Sequence, residues 1–345
     1  MIRPLILAAL CLAQPAMAQE ATRSFGPEAA TARLVLRTTT DIAILAPTVE
    51  AFVAAHPGQA VDFEQWGSND LYDLTRRDCL AGRRGADIVI SSGVHQMVKL
   101  VNDGCATAWR SAATLALPPE LRWRDEIWGV TREPAVMVYN RDLVPPGEVP
   151  LSRFDLLDLL RPADTPYAGK VATYDIEASG LGYLFAFMDS QEATTFGALM
   201  EAFARTGAVA TCCSAEIIAG VASGDYLIAY NVLGSYAATA AAANPALGVV
   251  IANDYALILS RAAILPPGAA VDSAGAFLEF LLSDPGRRTL ERTNLISTAA
   301  SPDAEDDVAS GGRRVLIGLG LPLLIALDQA KTRQFIARWR EAFEN

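Results

Sequence analysis

A strand, a polar tip and a helix follow one another three times in the first third of the chain. The strand-like segments are Arg33–Arg37, Ala60–Glu64 and Ala86–Ile90, and each precedes a stretch rich in serine, threonine, asparagine or glycine and then an apolar-periodic helix. The stretch before them, Gln19–Ala32, is polar and only loosely patterned. Parallel strands are joined by crossovers of this kind, which are right-handed. The pattern therefore predicts an α/β protein with a parallel sheet.

The length of the chain predicts two lobes. Removing an 18-residue leader from 345 residues leaves 327, which is more than one hydrophobic core usually serves. The predicted first lobe comprises residues 33–134 together with 256–345, and the second comprises residues 135–255. We expect the chain to cross between the lobes near Glu133–Tyr139 and Asn253–Leu259. A last helix, Leu323–Phe343, is expected to return to the first lobe.

Residues 1–18 are organised like a secretory signal peptide. Arg3 precedes the apolar run Leu5–Leu12, which is too short to span a bilayer, and Ala16–Ala18 forms a small-x-small cleavage site. The sequence predicts export to a bacterial periplasm, with Gln19 as the first residue of the mature chain. The alternative is a buried N-terminal helix.

The exported chain is acidic and has enough apolar residues for a core. Its hydrophobic fraction is 52% and its formal charge is −11, which becomes −12 once Arg3 is removed. Such a charge argues against nucleic acid and anionic membranes as partners, although a pocket can still hold a small anion. The best candidate for a membrane span, Val315–Leu327, is short and interrupted by glycine and proline, which favours a buried connection. We expect a monomer.

Four cysteines remain after the leader: Cys79, Cys105, Cys212 and Cys213. An oxidising compartment favours a disulfide between Cys79 and Cys105, with free thiols as the alternative. The adjacent pair could join only as a strained vicinal bridge, so buried free thiols are expected there, with a redox switch as the alternative. No histidine lies at metal-ligand spacing to a cysteine, so no metal site is predicted.

Polar tips at the ends of strands are the candidates for a ligand site. In open α/β sheets ligands bind beyond the carboxyl ends of the strands, where helix N-termini favour anions. Taken one at a time, these tips are better explained as ordinary helix caps and turns. Together they predict a cleft between two lobes. The candidate ligand-binding residues are Thr39, Thr40, Ser68, Asn69, Ser91, Ser92, Tyr174, Ser179, Gly180, Ser235 and Tyr236.

Catalysis has little support in the sequence. His56 and His95 belong to no recognisable triad, and there is no nucleophile elbow, phosphate loop or zinc signature. The carboxylates are dispersed, so no general acid/base pair stands out. We predict neither an enzyme nor a cofactor. A secreted hydrolase with an unrecognised catalytic set is the alternative.

Four segments and one tryptophan, in this order, resemble a known family. They are Ala86–Ser92 (ADIVISS), Tyr174–Tyr183 (YDIEASGLGY), Tyr230–Tyr236 (YNVLGSY) and Leu327–Lys331 (LDQAK), followed by Trp339. The chain resembles solute-binding proteins of ABC transporters over nearly its whole mature length. More narrowly, it is similar to the ferric-binding-protein-like branch, which includes hexose-phosphate and phosphoglycerate-type binders. The resemblance implies the two-lobed type II periplasmic-binding-protein fold, with two hinge crossovers and the ligand between the lobes.

The resemblance also bears on the ligand. Ferric binders of this branch use adjacent tyrosines with a histidine and a carboxylate, whereas the matching segment here, Gly234–Ala237, holds the single Tyr236. Ferric iron prefers several phenolate and carboxylate oxygens, so one tyrosine makes a poor site. Ser179 and Gly180 match the position where relatives hold an anion. We expect a small anionic solute, a phosphorylated or carboxylated metabolite, with ferric iron as the alternative.

The same resemblance suggests two kinds of protein partner. A solute-binding protein delivers its ligand to an ABC permease in the inner membrane. Some similar proteins are encoded beside sensor kinases, so a periplasmic kinase domain is the second candidate partner. Closure of the lobes on the ligand would serve either partner.

Overall fold

The computed structural model describes residues 19–192, 194–297 and 312–343. The predicted signal peptide, residues 1–18, lies outside this range. The chain forms two seven-stranded sheets with helices packed on them, and the predicted α/β class is confirmed. Within the ranges described, the helices lack the combination of length and apolarity needed to cross a membrane.

The first sheet is built around the three strands predicted from the sequence. The central strand pairs in parallel with a neighbour on each side, as expected, whereas the remaining pairs are antiparallel. The edge strand formed by Gln19–Phe25 was missing from the prediction, which treated this stretch as unpatterned. In spatial order the strands are β1 (Gln19–Phe25), β3 (Gln59–Trp66), β2 (Ala32–Thr38), β4 (Ile88–Ser91), β13 (Ala262–Ile264), β6 (Ile127–Gly129) and β5 (Arg122–Trp123).

Helices cover both faces of this sheet. Leu34, Leu36 and Phe63 alternate along their strands and pack against Phe52 and Phe277 on one face. The alternating residues of the same strands point to the other face, so burial on both faces follows from the period of two. The helices of this lobe are α1 (Ile42–Ala55), α2 (Ser68–Leu80), α3 (Val94–Asn102), α4 (Ala112–Ala116), α10 (Val271–Leu282) and α11 (Asp284–Arg292).

The second sheet mixes parallel and antiparallel pairs. Its strands are β14 (Arg313–Leu316), β12 (Tyr255–Leu259), β7 (Glu133–Asn140), β10 (Ile228–Leu233), β8 (Val171–Tyr174) and β9 (Val209–Thr211) in spatial order, with β11 (Leu247–Val250) also paired to β7. The helices that accompany it are α5 (Arg153–Leu160), α6 (Gly180–Glu192), α7 (Phe196–Thr206), α8 (Ser214–Ser223) and α9 (Gly234–Ala243).

Two passages between the sheets run side by side, and the chain later enters the second sheet again at β14. The chain leaves the first sheet after Gly129 and enters the second at Glu133, and it returns between Leu259 and Ala262. Strands β7 and β12 pair antiparallel at this point, with Leu259 opposite Glu133. Hinge crossovers were expected in these two segments. The lobe boundaries themselves, 33–134 with 256–345 and 135–255, stay a prediction.

The C-terminal segment differs from the expected single helix. It forms α12 (Pro322–Ile325) and α13 (Gln329–Phe343), and the Asp328 carboxylate caps the second of these by accepting from the Lys331 N–H at 3.0 Å. Helices α10 and α11 pack on α1 of the first lobe, as expected. In contrast, α13 packs against α6 and α7, where Trp339 joins an apolar cluster with Tyr183. The expectation that the last helix returns to the first lobe is therefore wrong for α13.

Candidate functional site

A cavity of about 320 Å³ lies between the two sheets, where strands end and helices begin. A larger cavity, about 710 Å³, lies among α6, α7 and α13, but no residue of the first sheet reaches it. We take the cavity between the sheets as the candidate site, because a ligand there contacts both lobes, and we call it the interlobe cavity. Its lining residues are Glu20, Thr39, Asp41, Gln65, Trp66, Gly67, Ser68, Asp70, Ser92, Tyr174, Ala178, Ser179, Leu181, Cys212, Cys213, Ser214, Ala215, Leu233 and Tyr236.

Six of the residues predicted from the sequence line this cavity together. Each lies at or beside a strand-to-helix junction, as the strand-tip argument required. The structure thus brings together side chains that are as far apart in sequence as residues 39 and 236. They are Thr39, Ser68, Ser92, Tyr174, Ser179 and Tyr236.

The other five predicted residues do not line the cavity. Thr40 and Ser235 are buried beneath it, Ser91 accepts a hydrogen bond from the Gly93 N–H at 3.1 Å, and Asn69 and Gly180 form contacts between the lobes. Thr39 and Thr40 form a bend directly after β2, where adjacent side chains leave the backbone in different directions, so this polar pair divides between the cavity and the interior. The sequence alone therefore does not reveal which residue of such a polar pair faces the ligand.

Direct hydrogen bonds join the lobes at the side of the interlobe cavity. The Gly180 N–H donates to Ser68 Oγ at 2.9 Å, and Asn69 Nδ2 donates to the Glu177 carbonyl oxygen at 2.8 Å. Gln96 Nε2 donates to Asn69 Oδ1 at 2.7 Å. A Cβ atom on Gly180 would lie 2.6 Å from Gln96 Nε2, so glycine permits this close approach. Gln96 and Glu177 were not identified from the sequence.

Tyr236 connects α9 of the second lobe to the first turn of α1. Its hydroxyl donates to Asp41 Oδ1 at 2.7 Å and accepts from the Asp41 N–H at 3.1 Å. Burial raises the pKa of Tyr236 far above that of free tyrosine. The hydroxyl therefore keeps its proton and acts as a donor to the carboxylate.

Many of the donors that could hold an anion are already engaged within the protein. The Ser92 N–H donates to Thr39 Oγ1 at 2.9 Å, and the Gly182 N–H at the start of α6 donates to Ser179 Oγ at 3.0 Å. At the start of α1, the Ile42 N–H donates to Gln65 Oε1 at 3.0 Å. The hydroxyl oxygens of Thr39 and Ser179 thus cap a turn and a helix, which was the alternative explanation of the polar tips.

Tyr174 is held in the second lobe in a similar way. Its hydroxyl makes a short hydrogen bond with Ser214 Oγ, and burial raises the pKa of Tyr174. The two tyrosines that line the interlobe cavity therefore both use their hydroxyls inside the protein and both stay protonated at neutral pH.

A buried ion pair lies beneath the cavity, where the two crossovers meet. Arg261 donates from Nε to Glu133 Oε1 at 2.8 Å, and both side chains are almost fully buried, with relative accessibilities of 1% and 0%. Arg261 Nη1 donates to Thr40 Oγ1 at 3.0 Å, and the Ser235 hydroxyl donates to Glu133. Thr40 and Ser235, which were predicted to bind ligand, thus anchor the ion pair from one lobe each.

The four cysteines that the structure describes form two disulfide-bonded pairs. Cys79 and Cys105 are joined by a disulfide, as favoured from the sequence. Cys212 and Cys213 are joined as a vicinal pair at the wall of the interlobe cavity and are exposed, so the expectation of buried free thiols is wrong.

Comparison with known proteins identifies the family. The family model of the bacterial extracellular solute-binding proteins matches residues 38–288, well over half of the chain. The chain belongs to this family. No curated protein sequence shows a significant match.

Solved structures agree with this assignment. The substrate-binding protein of an ABC transporter from Agrobacterium tumefaciens is 29% identical, with a TM-score of 0.87 over 95% of this chain and 99% of that chain. The fructose-6-phosphate-bound periplasmic binding protein AfuA from Actinobacillus pleuropneumoniae is 16% identical, with a TM-score of 0.70 over 91% of this chain and 99% of that chain. Iron-bound HitA from Pseudomonas aeruginosa is also 16% identical, with a TM-score of 0.65 over 88% and 99% of the two chains. The type II two-lobed fold predicted from the sequence is confirmed.

Proposed function

We propose that this solute-binding protein holds a small solute in the interlobe cavity and presents the closed form to an ABC permease from the periplasm. The observation that carries the proposal is that both lobes contribute side chains to one cavity of about 320 Å³. This volume lies at the lower end of the range for small-molecule sites. The hydrogen bonds of Ser68 and Asn69 to the second lobe supply a closed state that a bound solute can stabilise.

The hinge proposed for this closure is the pair of adjacent strands β7 and β12. The passages from Gly129 to Glu133 and from Leu259 to Ala262 are both short, and the Glu133–Arg261 ion pair links them at one point. A rotation about this point would separate Ser68 from Gly180 while the ion pair stays intact. Hinge closure of this kind is common among periplasmic binding proteins.

An anionic solute was expected from the sequence, and the arrangement of donors does not favour it. The backbone N–H groups of Ser92 and Gly182, which could otherwise donate to an anion, already donate to the hydroxyl oxygens of Thr39 and Ser179 in their own lobes. Among the lining residues that the structure describes, there is no lysine, arginine or histidine to balance a phosphate or carboxylate. The proposal is therefore solute binding in the interlobe cavity, without a commitment to an anion.

Ferric iron, the second ligand considered from the sequence, is not favoured either. Iron sites of the ferric-binding type need phenolate oxygens. The hydroxyls of Tyr174 and Tyr236 are engaged with Ser214 and Asp41, and burial raises the pKa of each phenol. The monomeric state and a sensor-kinase partner stay predictions from the sequence.

The proposal is tested by filling the cavity. Ala178 is an exposed lining residue that makes no side-chain hydrogen bond, so Ala178→Trp occupies the space without removing a polar contact. Ala54→Trp, at an exposed position of α1 away from the cavity, is the matched control. Native mass spectrometry of protein purified without denaturation should show a small-molecule adduct on the wild type and on Ala54→Trp, and none on Ala178→Trp. An adduct that persists in Ala178→Trp would place the solute elsewhere.

A further inference from the structure

The interlobe cavity has an unbalanced charge. Three carboxylates line it, those of Glu20, Asp41 and Asp70, and the described lining contains no basic side chain. The Asp70 carboxylate has no hydrogen-bond or ion-pair partner within the described part of the chain, while the carboxylates of Glu20 and Asp41 accept from the neutral Gln65 amide. Nothing in the lining therefore neutralises the three negative charges.

The nearest buried cation does not change this balance. The Arg261 guanidinium lies 5.9 Å from the centre of the Tyr236 ring, on the protein side of the cavity wall. It forms a two-point ion pair with Glu133, with Nε–Oε1 and Nη2–Oε2 distances of 2.8 and 3.3 Å. The pair is neutral as a unit, so the cavity experiences the charge of its own carboxylates.

The carboxylates are too widely spread to share a single metal ion. In the described residues, the only group of three or more histidine, cysteine, aspartate or glutamate side chains close enough to share a metal ion is formed by Cys212, Cys213 and Glu216, whose cysteines are joined to each other. Glu20, Asp41 and Asp70 form no such cluster. Carboxylates that are spread around a cavity suit a molecular cation, which is large enough to contact several of them through its charged groups and its C–H surface.

The rest of the lining fits an organic cation. Trp66 and Tyr236 are half-buried aromatic residues of the wall. Carboxylates bind ammonium and guanidinium groups through charge-assisted hydrogen bonds, and aromatic rings attract cations over their faces. Closing the lobes removes water from the carboxylates, which is costly unless a counter-charge replaces it. A cationic solute supplies that charge, whereas an anion adds repulsion.

We propose that the solute is a small organic cation, carrying an ammonium, guanidinium or quaternary nitrogen, and that the Asp70 carboxylate contacts it. This inference rests on the proposed function, since it assigns the ligand class of the same cavity. The net charge of −11 on the chain would also increase the rate of encounter with a cation.

The test separates the ligand class from the binding function. A small-molecule extract of bacterial cells is divided at pH 7 into components retained by a cation exchanger, components retained by an anion exchanger and unretained components. Each fraction, with a salt-matched blank, is added to the protein and the melting temperature is measured. We expect the cation-exchanger fraction to raise the melting temperature of the wild type, because a ligand that binds the native state stabilises it.

A matched pair of variants on one helix places the effect in the cavity. Asp70→Asn removes a lining carboxylate, and Asp73→Asn removes an exposed carboxylate of α2 outside the cavity. Loss of one charge-assisted contact should weaken apparent binding about tenfold to a hundredfold in Asp70→Asn, with Asp73→Asn unchanged.

Three outcomes would overturn the inference. If the stabilising component is unretained or retained by the anion exchanger, the solute is not a cation and the proposed function stands. If the cation fraction stabilises Asp70→Asn as strongly as the wild type, Asp70 does not contact the solute. If no fraction stabilises the wild type, both the inference and the proposed function fail.

Discussion

Replacing Glu133 by glutamine is expected to destabilise the protein strongly. Arg261 is 1% accessible and depends on Glu133 for two of its hydrogen bonds. A glutamine side chain keeps one acceptor oxygen but presents a donor nitrogen where the second oxygen was, so the guanidinium is left buried without its counter-charge. Removing one partner of a buried ion pair typically costs about 3–5 kcal/mol. This is a large share of a total stability of about 5–15 kcal/mol.

The measurement is the free energy of unfolding from urea titration. An exposed pair serves as the control: Asp158 and Arg161 have side-chain accessibilities of 68% and 76%, so Asp158→Asn should cost no more than about 1 kcal/mol. The double variant Glu133→Leu with Arg261→Met removes both charges and should recover much of the loss, because no unpaired charge remains.

A small effect would refute this reasoning. If Glu133→Gln lowers the free energy of unfolding by no more than Asp158→Asn does, the ion pair is not needed to keep Arg261 in the interior. If the double variant is no more stable than Glu133→Gln, the loss comes from packing at the crossovers and not from an unpaired charge.

Three further predictions concern single contacts. Burial lowers the pKa of His95 to about 3, from about 6.5 in the unfolded chain, so the free energy of unfolding should fall as the pH drops from 6.5 towards 3, by up to about 1.4 kcal/mol per pH unit from this group. Urea titrations at several pH values should show that the free energy of unfolding of His95→Phe depends less on pH than that of the wild type, and an equal pH dependence would contradict the lowered pKa. Tyr236→Phe removes the hydroxyl bound to Asp41 and should lower the free energy of unfolding by about 1.5–3 kcal/mol, whereas a loss under about 0.5 kcal/mol would show that the contact is replaced by water. Replacing Cys79 and Cys105 by alanine opens a loop with a sequence separation of 26 and should lower the free energy of unfolding by about 3.5 kcal/mol in the same assay. Equal stability with and without the disulfide would contradict this prediction.

The parallel part of the first sheet could be predicted because its strands are buried on both faces. Arg33–Arg37 and Ala86–Ile90 carry apolar residues that point to two helix layers, and this produces a strong local signal. Strand β1 gave no such signal, because Phe25 is its only buried residue and the rest of this edge strand faces solvent. An exposed edge strand is formed by pairing with β3, which local sequence does not encode.

The site was predictable in its location more than in its chemistry. Hydroxyl residues such as Ser68 and Ser179 were identified because they lie at the starts of helices that follow strands, and the fold brings these two helix starts to one cleft. The carboxylates were harder to find: Glu20 lies on the strand that was missed, and the partner of Asp41 is Tyr236, which is 195 residues away in the sequence. Contacts over such separations depend on the closed arrangement of both lobes.

The position of β13 has a consequence for the order in which the chain folds. This strand lies between β4 and β6 in the first sheet, although it follows the whole second sheet up to β12 in the sequence. The first lobe therefore stays divided into two fragments, each with an unpaired strand edge, until Ala262–Ile264 has been synthesised and can pair with both. The segment from Glu133 to Leu259 contains six of the seven strands of its own sheet and can assemble earlier. Non-local pairing of this kind folds slowly, so the first lobe should be the last to become resistant to protease during refolding.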